Sequence, residues 1–223
     1  MRHAGRIVLA VASSGIAACL IDGGRTPHSR FKIPLEIHET SVCNIKVNSP
    51  LAELIRQTDL ILWDEITMCH KYSIEAVSRT MSDICRDEKP FGNKVVVFGG
   101  DFKQCAPVIE QGTPGQVIEA SFRKSVLWNK VRIMMLTRNM RLEADGGSLE
   151  FRKLLIDIGN GNHEGHSIKL PDDIMISPDG NGDIGLLIDY LYSNFDNLED
   201  KVILTPKNVD VQKINEMVSC LLP

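Results

Sequence analysis

Hydrophobic and polar positions alternate between two periods along the chain. RIVLAVA (6–12) is an unbroken apolar run rich in Val and Ile between Gly5 and Ser13, the pattern of a strand buried on both faces of a parallel sheet. SSGIAACLI (13–21) has helical spacing behind a serine cap and stops at Gly23-Gly24. RTPHSRFKIP (25–34) follows neither period and is expected to be a basic loop. LAELIRQT (51–58) predicts a helix, DLILW (59–63) a second buried strand, and SIEAVSRTMSDICR (73–86) another helix. NKVVVFGGD (93–101) predicts a third strand broken by two glycines, RIMMLT (132–137) a fourth, and SLEFRKLLIDI (148–158) a helix. From Gly159 to Gly185 the composition turns to Gly, Asn, Asp and Pro, as in a loop-rich crossover. LLIDYLYSNF (186–195) then predicts a helix, KVILTP (201–206) a strand, and NVDVQKINEMVSCLL (208–222) a helix. Strands alternating with helices predict an α/β fold with a mainly parallel sheet.

Composition changes this picture only a little. With 223 residues, 43% of them hydrophobic, the chain is long enough for one core, or for one domain and the start of another. The net charge of −4 does not announce a nucleic-acid binder, but its distribution is uneven. Residues 1–34 carry five Lys/Arg against one acid, so a basic segment sits on an acidic body, compatible with an anionic ligand at one end or with a solvated surface. Six cysteines (19, 43, 69, 85, 105, 220) include no C-x-x-C pair, which argues against zinc or a disulfide framework and predicts reduced, mostly buried thiols. No apolar run approaches the ~18–20 residues of a transmembrane helix. The opening MRHAGRIVLAVASSG reads as a helix end and a strand, not a signal peptide.

In open α/β sheets ligands bind beyond the carboxyl ends of the strands, so the polar residues there carry the candidate chemistry. The run ILWDEITM (61–68) ends in Asp64 and Glu65. With 29 acids in 223 positions, chance alone predicts about four adjacent acidic pairs, and there are four (64–65, 87–88, 172–173, 199–200). Position separates the first from the rest, because only Asp64-Glu65 directly follows a buried-strand pattern. A pair of this kind suits phosphate hydrolysis: Mg²⁺ keeps several waters and takes few protein carboxylates, while a second acid faces the attacking water as a base. The plainer reading is a pair of loop acids capping the next helix. In GGDFKQ (99–104), two glycines allow a tight turn or a close approach, and Gln104 offers both a donor and an acceptor to a phosphate and a water. Arg141, in RNMR after the fourth predicted strand, is placed to stabilise charge on a transferred phosphate, or is a surface arginine. In 13–31, Ser13, Ser14, His28, Ser29 and Arg30 offer donors for phosphodiester contacts and Phe31 a ring for base stacking. The alternatives are a helix cap, a loop histidine and a core phenylalanine. A dinucleotide-binding domain is disfavoured, since no G-x-G-x-x-G follows a strand.

Four stretches in this order, VLAVASSGIAACLIDGGRTPHSRFKIP (8–34), ILWDEITM (61–68), VVVFGGDFKQCAPV (95–108) and LTRNMR (136–141), resemble the petite-integration-frequency DNA helicases of superfamily one, and among them the branch associated with Helitron-type transposons. ILTPKNVDVQKINEM (203–217) is similar to the entry into that family's second motor domain. The resemblance implies a RecA-like P-loop NTPase motor, driven 5′ to 3′ by ATP and Mg²⁺, on single-stranded DNA and duplex junctions in repair, recombination or telomere upkeep, in the nucleus or the mitochondrion. Residue by residue it implies Asp64 as the Mg²⁺ ligand, Glu65 as the water-activating base, Gln104 as the γ-phosphate sensor and Arg141 as a γ-phosphate contact. Ser13, Ser14, His28 and Ser29 fall in motifs lining the single-strand path. The family begins this domain with a glycine-rich loop ending in Lys-Ser/Thr, which this sequence does not contain. The chain is therefore expected to be truncated at both ends, lacking the first strand and phosphate loop, with a partial first motor domain at 1–165, a crossover at 166–200 and the start of a second at 201–223. A catalytically silent fragment with weak single-strand binding is the alternative expectation.

Overall fold

Three of the predicted strands form, and they pair in the order in which they occur. In a computed structural model, which describes residues 4–138, 140, 149–162, 167–176, 184–192 and 201–221, β1 (Val8–Ala12), β2 (Leu60–Asp64) and β3 (Val95–Phe98) make one parallel sheet in the order β1-β2-β3. The register sets Val8 against Leu60 and Ala12 against Asp64, then Leu60 against Val95 and Trp63 against Phe98. Asp59 holds the start of this register: its carboxylate accepts from the Ile7 amide at 2.9 Å and pairs with Arg6 at 2.7 Å, contacts that also hold its pKa below the usual carboxylate value, Arg6 first. The outer edge of β1 is closed by Arg25, whose backbone exchanges hydrogen bonds with Ala10 and Ala12.

Helices follow where the caps allow. α1 (Gly15–Leu20) starts on Ser14, α3 (Pro50–Gln57) on Ser49, and α4 (Lys71–Cys85) on His70, whose Nδ1 accepts the Tyr72 amide. α2 (Pro27–Phe31) corrects the expected loop: Thr26 caps it and Pro27 supplies a preset φ at its first position. α5 (Pro114–Ala120) is a further helix, started by a capping box in which Thr113 and Gln116 satisfy one another's amides. α6 (Leu149–Asn160) ends the first of two compact units, Met1–Gly161. The second unit, Asn162–Pro223, holds α7 (Ile184–Tyr192) and α8 (Asn208–Ser219). No helix among the described residues is long and apolar enough to cross a membrane.

Two predicted strands do not form. Residues 132–137 and 201–206 run irregularly, with Leu136 fully exposed and Leu204 at 87%. An apolar run becomes a strand only beside another strand that takes its N–H and C=O groups in a ladder, and among the described residues the sheet holds only β1, β2 and β3. Burial on both faces also holds only at β1. Along β2 and β3 exposure alternates, with Ile61 and Trp63 inside and Leu62, Val95 and Val97 outside. The thiols divide likewise. Cys43 and Cys69 are buried, which pushes them up to about 11 and about 12, Cys85 is half-buried, and the other three are exposed.

The core lies on the inner face of the sheet, where Leu9, Val11, Ile61 and Trp63 meet Ile55 of α3, Ile74, Val77 and Met81 of α4, and Phe31, Phe91 and Phe122. A buried carboxylate ties α4 to the segment after α5: Glu75 accepts from Ser125 Oγ at 2.7 Å and from the Val126 amide at 3.3 Å. Glu75→Ala strands both donors, at about 1–3 kcal/mol for an unsatisfied buried group. The expected fall in thermal midpoint is about 2–12 °C for a chain of this size, read by calorimetry.

Candidate nucleotide and nucleic-acid site

Parallel pairing brings the polar ends of β2 and β3 together. Asp64 is the last residue of β2, and Gly99-Gly100 follow β3. Backbone bonds stitch the two ends: the Gly99 amide donates to Trp63 O at 2.8 Å, and the Ile66 amide to Gly99 O at 2.9 Å. The glycine has a steric reason. A Cβ at Gly99 would lie 2.8 Å from Asp64 Oδ1, and one at Gly100 would lie 3.1 Å from the methyl carbons of both Ile66 and Thr67. Asp64 Oδ1 also accepts the Glu65 amide at 3.0 Å, so the glycine leaves the carboxylate room while the backbone holds one of its oxygens. Glu65 itself sits in the left-handed region (φ 52°, ψ 42°), a conformation that costs energy outside glycine and persists where its surroundings impose it.

Mg²⁺ is bound through one or two carboxylates plus waters and substrate phosphates rather than by an all-protein cage. One solvent-facing strand-end carboxylate, set in a cradle that a Cβ would fill, fits that demand, and the described residues contain no cluster of three or more His, Cys, Asp or Glu side chains of the kind that cages a metal.

Beyond β3 the chain turns on Asp101. Its carboxylate accepts from the Lys103 amide at 2.9 Å and from Gln104 Nε2 at 3.3 Å, while its carbonyl accepts the Gln104 amide at 3.1 Å. Asp101 therefore aims Gln104, a role that sequence reasoning did not assign. The signal for it was D-x-x-Q at turn spacing, as in an Asx-turn. Arg141 lies outside the described residues.

The 13–31 segment wraps the far edge of the sheet. Ser14 is half-buried and caps α1, its Oγ accepting from Ala17 at 3.4 Å. His28 and Ser29 are exposed on α2; burial by its neighbours holds the His28 pKa below its usual value, favouring a neutral imidazole. Arg30 reaches back to Gly23 O at 3.3 Å. Two residues turn inward. Ser13 Oγ accepts the indole N–H of Trp63 at 3.1 Å, and its backbone amide donates to Asp64 O at 3.0 Å. Phe31 is fully buried and stacks on Trp63 with centroids 5.8 Å apart, so it is a core ring that turns no face to solvent for a base to stack on.

Among solved structures, the chain is similar to a Bacteroides Pif1 bound to single-stranded DNA, at 24% identity and a TM-score of 0.69, over 97% of this chain and 47% of that one. It is also similar to Pif1 helicase from Candida albicans, at 26% identity and a TM-score of 0.58, over 77% of this chain and 36% of that one. The parallel sheet with acids beyond its strand ends thus shares the α/β fold of these Pif1 structures. The sequence model of the PIF1-like helicases matches residues 1–168, and the chain belongs to that family. Curated relatives include the ATP-dependent DNA helicase Pif1 of Psychrobacter sp. (strain PRwf-1), 30% identical over 142 residues, which are 63% of this chain and 21% of the relative. Another is the ATP-dependent DNA helicase PIF1 of Candida albicans, 30% identical over 175 residues, which are 74% of this chain and 18% of the relative. The chain spans about a fifth of the length of these curated relatives.

Proposed function

We propose that the chain supplies part of the ATP- and DNA-handling surface of a 5′-to-3′ DNA helicase motor. The observation that carries this reading is the junction of β2 and β3, where Asp64, Glu65 and the Asp101–Gln104 turn follow adjacent strand ends stitched through Gly99. Asp64 would hold Mg²⁺, which when bound supplies positive charge to the phosphates of ATP. Glu65 accepts a proton from the attacking water, and Gln104 donates to the terminal phosphate. The resemblance of LTRNMR (136–141) gives Arg141 the role of the cation that contacts the γ-phosphate. Single-stranded DNA lies along α1 and α2, touching Ser14, His28, Ser29 and the nearby arginines, with Ser13 and Phe31 beneath. The motor's place is at single strands and duplex junctions in repair, recombination or telomere maintenance, in the nucleus or the mitochondrion.

Fluorescence anisotropy of a labelled oligothymidylate tests the DNA half of this reading. The intact chain is expected to bind with a logarithmic salt slope near −0.7 per phosphate contacted, and joint replacement of Arg25 and Arg30 by Ala to make that slope shallower by about 1.4 and weaken binding about ten-fold. No binding at low salt, or binding indifferent to both arginines, sinks the assignment.

A further inference from the structure

Trp63 stands where the two halves of the proposed site meet. Its indole is 1% exposed. The ring N–H donates to Ser13 Oγ at 3.1 Å, one ring face stacks on Phe31 at 5.8 Å, and Phe98 lies tilted against it at 6.3 Å. Its main chain continues directly into Asp64, and its carbonyl accepts the Gly99 amide at 2.8 Å. One side chain therefore touches Ser13, the residue before the α1 cap, and the last residue of α2, while its own backbone carries the candidate metal carboxylate and anchors the glycine that makes room for it.

We propose that Trp63 is a positioning residue that transmits occupancy of the 13–31 segment by single-stranded DNA to the Asp64-Glu65 turn. This rests on the reading of the two surfaces given above. The indole N–H is buried, so losing Ser13 as acceptor leaves a desolvated donor without compensation. A phosphate or sugar seated on Ser14 shifts the adjoining Ser13, and the indole bonded to the Ser13 hydroxyl moves with it. The ring is packed between Phe31 and Phe98 and cannot tilt alone, because a close-packed interior passes displacement on to its neighbours. The displacement reaches Asp64 through one peptide bond. Glu65, next in line at φ 52°, is held in its left-handed conformation by that same surrounding structure, so a small main-chain shift redirects its carboxylate. The indole route is a single residue long and runs beside the backbone bond from the Ser13 amide to Asp64 O at 3.0 Å. The coupling is reciprocal: a ligand on Asp64 biases the 13–31 segment by the same factor.

The test is amide NMR of the whole ¹⁵N-labelled chain, with an oligothymidylate of about twelve nucleotides added to saturation. In the parent chain the amides of 13–30 are expected to shift, and with them those of Asp64, Glu65 and Gly99. Trp63→Phe keeps a ring for the stack and removes the N–H. There the 13–30 amides still shift, and the shifts at 64, 65 and 99 shrink roughly five-fold or more. Ser13→Ala removes the acceptor instead and is expected to act the same way, and it carries the test if the Phe variant loses its fold. Full-sized shifts at 64, 65 and 99 in either folded variant overturn the proposal, as does a parent chain in which only 13–30 respond. A parent in which 13–30 do not respond overturns the DNA reading and the coupling together.

Discussion

Gly99→Ala is expected to weaken binding of Mn²⁺, standing in for Mg²⁺, at Asp64 by about ten- to a hundred-fold, the range for losing an outer-shell support of a ligand, while leaving the thermal midpoint within about 2 °C of the parent. The new Cβ would lie 2.8 Å from Asp64 Oδ1, closer than two such atoms tolerate. The atom it meets is the end of a side chain that faces solvent, so the carboxylate swings away instead of the strand being pried apart. That swing breaks the 3.0 Å bond from the Glu65 amide and turns the oxygens from their held direction. Stability thus moves little while ligand geometry moves a great deal. A titration following Mn²⁺ broadening of amide resonances measures the affinity, and calorimetry the fold. Parent-like Mn²⁺ affinity in a folded Gly99→Ala chain would show that the glycine does not set the carboxylate.

ATP turnover by the 223-residue polypeptide on its own is expected to be at background, with or without single-stranded DNA. On the proposed reading Asp64, Glu65 and Gln104 would supply a metal ligand, a base and a neutral donor, but the sequence contains no glycine-rich loop ending in Gly-Lys-Ser/Thr to cradle the phosphates. Charge-stabilising groups at a transferring phosphate are each worth factors of about 10³ or more in rate. A coupled assay under excess Mg²⁺ and oligothymidylate reads this out. DNA-stimulated turnover that Glu65→Gln abolishes would contradict it, and would make the chain a complete catalyst.

The parallel sheet was legible because its three strands are short Val/Ile-rich runs flanked by turn residues, a pattern that depends on local sequence alone. The runs at 132–137 and 201–206 look the same locally, yet whether they pair depends on a neighbour, which no local pattern reports. α2 and α5 escaped because their signals are caps, Thr26-Pro27 and Thr113-Pro114 with Gln116, rather than apolar periods. At the candidate site, the placement of Asp64-Glu65 and Gln104 beyond adjacent strand ends was legible from the apolar runs that precede them. Asp101 was passed over because its role is to hold Gln104, not to meet a ligand. Ser13 and Phe31 were read outward because a serine and an aromatic within a basic segment suit DNA equally well. Only the fold shows that both face Trp63.

The central claim is that the corner formed by Asp64, Glu65, Gly99 and Gly100 binds the metal. Titrating Mn²⁺ into the ¹⁵N-labelled chain tests it most directly. The amides of Asp64, Glu65, Ile66, Gly99 and Gly100 are predicted to broaden first, and to lose that preference in Asp64→Asn. Broadening that spares this corner, or that persists there unchanged in Asp64→Asn, would contradict the assignment.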